Sequence, residues 1–121
     1  MNSRELNLKL IDFFPEINGM YQEETVWQDG DETGSHVVYA DVFVPFIKEQ
    51  ITESNEQMLS KTFDYIESLL NLNDEYANEV VALSVIETLL FDDEIDNALF
   101  IQFAKTKTLK LIEEIVHNID G

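Results

Sequence analysis

Between Asn55 and Phe91 the apolar residues return every three or four positions. Met58, Leu59, Phe63, Ile66, Leu69 and Leu70 come first, and Tyr76, Val80, Leu83, Ile86, Leu89 and Leu90 follow. A strand would alternate with a period of two, whereas this spacing lines one face of a helix with 3.6 residues per turn. Only Asn71-Leu72-Asn73-Asp74 separates the two stripes. So short a connection makes the helices antiparallel neighbours that bury their stripes together. Ser54 or Asn55 is placed to cap the first, and Asn73 or Asp74 the second, since these side chains accept from orphan N–H groups.

The rest of the chain reads as helical too, because only two prolines and four glycines interrupt it. Ser3 can cap a helix carrying Leu6, Leu10, Phe13 and Phe14, with Glu5 favourable to its dipole. Pro15 ends that helix and opens the next, from Glu16 to about Thr25, with Ile17, Met20 and Tyr21 on one side. Gln28 to Ser35, with Gly30 and Gly34 among small polar residues, is a loop. A helix is expected from about Val38 to Thr52, bent near Pro45. Asp92-Asp93 breaks the pattern, a segment over Ala98–Ala104 follows, and Leu109, Ile112, Ile115, Val116 and Ile119 mark a last helix over about Thr108–Asn118. The expectation is an all-α fold: one domain over residues 1–121, a bundle of six or seven helices with a central antiparallel hairpin.

Charge restricts what such a bundle can bind. Asp and Glu number 25 against 7 Lys and Arg, a formal net charge of −18. From Leu10 to Ile47 there are eight acids and no Lys or Arg, and from Thr62 to Ala104 ten acids and again none. Such a surface repels nucleic-acid phosphates and anionic lipid, and a partner chosen by electrostatics is basic. No apolar run is long enough to span a membrane, the N-terminus does not read as a signal peptide, and there is no cysteine. A cytoplasmic location is the expectation. With 11% aromatic residues the chain is no disordered acidic tail.

No residue is set up for catalysis by its neighbours, and no phosphate-binding glycine loop or dinucleotide fingerprint is present. Asp29-Gly30-Asp31-Glu32-Thr33-Gly34 imitates the start of a calcium loop, but the twelfth position is Ala40 where a bidentate Glu belongs. His36 stands near Asp29 and Asp31 and five residues before Asp41, so a metal site would need these groups to converge. Trp27, the only tryptophan, lies beside the acidic loop. Core packing and a contact anchor both suit it, since tryptophan is enriched at binding hot spots.

Several motifs together resemble a small bacterial family of unknown function. They are Phe14-Pro15-Glu16, the acidic loop leading to His36 with Asp41 five on, and Tyr65-Ile66-Glu67-Ser68-Leu69-Leu70 before Asp74-Glu75. Val80-Val81 and Ser84-Val85-Ile86-Glu87-Thr88-Leu89 complete the set, so the resemblance covers about residues 8–95. It implies a small acidic all-helical protein with no assigned activity; separately, no cofactor is expected. Some similar proteins are encoded beside polymorphic toxins and serve as immunity proteins. No catalytic residue is carried over, and His36 and Asp41 are carried as pattern positions only.

The expected function is therefore that of an acidic protein-binding module, concretely an immunity protein that occludes a basic toxin domain. Its candidate contact residues are Trp27, Asp29, Asp31, Glu32, His36 and Asp41, with Asp92, Asp93, Glu94 and Asp96 as a second group. Two alternatives stand beside it: a metal-dependent enzyme using His36, Asp41 and loop carboxylates, and a self-associating subunit. Sequence alone leaves monomer and homodimer open.

Overall fold

Seven helices and no strand make up the described residues of the computed structural model, which are 1–120, with side chains described as far as Asn118. Helix α1 is Ser3–Phe13 and α2 is Asn18–Thr25, introduced by a 3₁₀ turn at Pro15–Ile17. Helix α3 runs continuously over residues 35–52, α4 is Glu56–Asn71, and α5 runs over residues 75–90. The short α6 is Ala98–Ile101 and α7 is Thr106–Asp120. Helices α4 and α5 form the expected hairpin, and one continuous core joins α1 to α7.

The caps follow side-chain chemistry, with one shift from expectation. Asn2, not Ser3, caps α1 in a reciprocal box with Glu5, and the Ser3 hydroxyl is used elsewhere. Asn55 caps α4 and Asp74 caps α5. Asp74 also accepts from the N-terminal amine at 2.6 Å, which holds its carboxyl below the usual range and raises the amine.

Helix α3 departs more from the sequence reading. It begins at Ser35 rather than Val38, and it is distorted by a π turn over Tyr39–Phe43 rather than by a bend at Pro45. The wide turn interrupts the regular i→i−4 register, so Pro45 falls at the opening of the following segment Val44–Thr52, where a missing N–H is tolerated. A second π stretch, Val80–Ile86, lies inside α5 and packs on the first.

Aromatic rings fill the centre. Phe14 has no exposed surface, and its ring lies 5.5 Å from Phe43, 5.6 Å from Phe46 and 5.4 Å from Tyr65. The rings of Phe63 and Phe100 stack 6.0 Å apart, which pins the short α6 to α4. Met20 does not join this core, although Tyr21 on the same helix and Ile17 in the turn before it do. On α7 Ile112 is buried while Leu109 and Val116 stay substantially exposed. The Ile119 side chain lies outside the described residues.

Candidate functional site

The acidic loop is fastened from below by one buried amide. Asn7 sits on the buried stripe of α1 with Leu6 and Leu10 and has no exposed surface. Its Nδ2 donates to the carbonyls of Asp31 at 3.1 Å and Thr33 at 2.7 Å, and its Oδ1 accepts from Ser35 Oγ at 2.8 Å. Above it, residues Gly30–Glu32 close a 3₁₀ turn in which Gly30 takes φ +58°, a conformation that favours glycine. Thr33 Oγ1 donates to the Gly30 carbonyl at 2.7 Å and accepts from Asp29 N at 3.2 Å.

This framework sorts the loop carboxylates. Asp31 turns inward, where it accepts from Tyr21 Oη at 2.8 Å and lies 3.9 Å from Arg4. Burial, with that hydrogen bond to the carboxylate, pushes the Tyr21 phenol up. Asp29 and Glu32 stay on the surface. Beside them Val26 is 70% exposed and Trp27 87% exposed, so tryptophan takes no part in the core.

His36 stands at the start of α3, half-buried and turned toward α5. Its Nδ1 is 2.7 Å from Ser84 Oγ, and its ring meets Tyr76 edge-on at 5.9 Å. The Tyr76 hydroxyl reaches Ser3 Oγ at 2.7 Å and accepts from Ser35 N at 3.2 Å. Thus α1, α3 and α5 meet in one polar junction directly under the loop. Asp41 is exposed on the π turn, away from this bond. Among the described residues no three His, Asp or Glu side chains are grouped so as to hold a metal ion.

The second acidic group lies elsewhere. Asp92 accepts from Lys48 Nζ at 2.6 Å and from Glu94 N at 2.9 Å, which keeps its carboxyl low and raises Lys48. Glu94 is 4.0 Å from the same lysine, while Asp96 accepts from Ala98 N at 3.0 Å and Asp93 is exposed. His36 and Lys48 are twelve positions apart on α3, so the two acidic groups are separated by roughly 18 Å of helix. They are two surfaces, not one.

Sequence reasoning overlooked Asn7, Ser3, Ser35, Tyr76 and Ser84, which build the junction. Two signals were present. Asn7 and Ser84 are polar residues on otherwise apolar stripes, and a buried polar group requires partners.

A family described as "Domain of unknown function (DUF7674)" matches residues 7–118, nearly the whole chain. The chain belongs to this DUF7674 family. The matched span takes in Asn7, the acidic loop, His36, Ser84 and the second acidic group, so the DUF7674 domain contains both surfaces. No curated protein and no solved structure matches the chain significantly. No helix among the described residues is long and apolar enough to cross a membrane.

Proposed function

We propose that this protein docks a basic protein partner through the segment 26–32. The observation that carries this is the exposure of Trp27 and Val26, 87% and 70%, beside the surface carboxylates Asp29 and Glu32. Burying a tryptophan against a partner recovers far more free energy than an average contact. The adjacent carboxylates speed and orient the approach of Lys or Arg. Anchorage of the loop by Asn7 and Thr33 means that little further ordering is required on binding. The specific form of the proposal is an immunity protein covering the phosphate-binding cations of a toxin domain, supported by the −18 charge and the resemblance.

Affinity capture from the native host tests it. Wild-type protein should retain a basic protein that leaves the resin as NaCl rises from about 50 to 500 mM. Trp27→Ala should weaken that complex by at least about 30-fold. Its own thermal midpoint should stay put, because the side chain touches little of the core. Recovery of acidic proteins alone, or an unaffected Trp27→Ala, would sink the proposal.

A further inference from the structure

Trp27 stands among carboxylates that the chain's own cations do not neutralise. Val26 keeps helical angles at the end of α2, φ −60° and ψ −30°, so Trp27 falls one turn past Glu23 and Glu24. Two and five residues on come Asp29 and Glu32, held by the 3₁₀ turn at Gly30–Glu32 and by the bond from Asp29 N to Thr33 Oγ1. No Lys or Arg occurs between Leu10 and Ile47. Arg4 reaches Asp31 at 3.9 Å from outside that stretch, but Glu23, Glu24, Asp29 and Glu32 make no ion pair among the described residues. The indole is equally unused. Among the described residues the cation that stands over aromatic rings is Lys61, 5.3 Å from Phe13 and 5.1 Å from Phe14.

A partner that covers the indole must also pair these carboxylates or take them out of water. A purely apolar pocket would strip their hydration with no return. A lysine supplies charge, but its ammonium is compact and strongly hydrated, and contact with the ring costs it water. An arginine meets both demands. Its guanidinium is planar and more weakly hydrated, so its face lies on the indole while the N–H groups in its plane stay free for carboxylates beside the ring. Bidentate bonds of that kind are stronger than a point contact and fix direction as well.

We propose that Trp27 is the seat of an arginine side chain of the partner, stacked on the indole and hydrogen-bonded to the neighbouring carboxylates. The proposal rests on the docking reading above and narrows it: the basic partner presents arginine at this point, and lysine in the same place is a poor substitute. Charge alone makes no such distinction, because both side chains are monocations. Steering and screening act alike on the two, so the preference belongs to the aromatic contact.

Two blocked peptides of equal length and charge test it, one with four arginines spaced by Gly-Ser and the other with four lysines in their place. Calorimetric titration of the intact chain should give an affinity at least about 3-fold higher for the arginine peptide. That ratio should persist from about 0.05 to 0.3 M NaCl while both affinities fall. The chain has one tryptophan, so a single indole N–H resonance should shift with the arginine peptide and locate the contact. Trp27→Leu keeps an exposed apolar side chain without an aromatic face, and it should bind the two peptides equally. Equal affinities in the wild type overturn the proposal and leave the docking reading intact, since charge is then sufficient. A ratio that survives Trp27→Leu also overturns it, because the preference then arises elsewhere on the acidic surface. An indole resonance unmoved by either peptide does the same, and the dependence of the captured partner on Trp27→Ala then decides the docking reading separately.

Discussion

The Tyr39 hydroxyl donates to the Leu6 carbonyl at 2.8 Å and meets Tyr65 Oη, also at 2.8 Å, with both side chains fully buried. Burial pushes both phenols well above their ordinary value, so they act only as neutral hydrogen-bonding groups. Tyr39→Phe keeps the ring but leaves the buried Tyr65 hydroxyl without its partner and removes the second bond to the Leu6 carbonyl. It should cost about 1–3 kcal/mol in urea unfolding, and a loss below about 0.5 kcal/mol would contradict that accounting. Ser54 poses the opposite case. It closes the end of α3 in the left-handed region at φ 53°, with Asn55 N bonded to Gln50 O at 2.9 Å and its own N–H to Ile51 O. A side chain there is strained, so Ser54→Gly should raise stability by about 1 kcal/mol. A destabilised variant would mean that the serine hydroxyl contributes something the geometry does not reveal.

At the scale of elements, α7 is held by a carboxylate borrowed from α4. Glu67 accepts from Lys107 N at 2.9 Å, from Thr108 N at 3.0 Å and from Thr108 Oγ1 at 2.9 Å, so it serves as the missing cap of α7. Partial burial works against its ionisation, but the three hydrogen bonds and Lys107 outweigh burial and lower its carboxyl below 4.5. A carboxyl depressed by folding stabilises fully above its unfolded value and loses that stabilisation as pH falls through the folded one. Protection of the α7 amides in hydrogen exchange should therefore weaken below about pH 4.5 before that of α4 does. Glu67→Ala should produce the same selective loss at neutral pH, with about 1–2 kcal/mol off global stability. Uniform exchange along the chain in that variant would show that α7 does not depend on this cap. The caps of α4 and α5 could be read from sequence because Asn55 and Asp74 sit where their helices start. Glu67 is distant in the chain from the helix it caps, by 40 positions to Lys107, and no local pattern announces it.

For the molecule as a whole, self-repulsion is the main unfavourable feature. Cations remote in sequence are folded onto the acid-rich stretches: Arg4 onto Asp31, Lys48 onto Asp92, Lys105 onto Asp64 and the N-terminal amine onto Asp74. Exposed pairs like these add little each and leave most acids solvated. Added salt screens the remainder, so the thermal midpoint should climb by about 5 °C between 0.02 and 0.5 M NaCl. Docking of a basic partner should weaken over the same range. A midpoint that stays flat or falls would mean that the surface charges do not strain the fold.

The apolar periodicity determined the helical class and the α4–α5 hairpin, because burial of a stripe at 3.6-residue spacing is a local demand that any compact solution must meet. Composition determined the acidic excess, and Gly30 and Gly34 among small polar residues marked the loop, which ends at Gly34. Where the distortion of α3 falls was not legible, since a proline announces a defect but not the wide turn ahead of it. Nor could the sequence say that Asp31 accepts from Tyr21 while Asp29 and Glu32 face out, that His36 meets Ser84 and not Asp41, or that Trp27 stays in solvent. Those outcomes depend on contacts such as Asn7 to Thr33 and His36 to Ser84, between residues 26 and 48 positions apart. Hydrogen bonds across such separations are fixed only when the helices have packed, and the tertiary structure alone decided them.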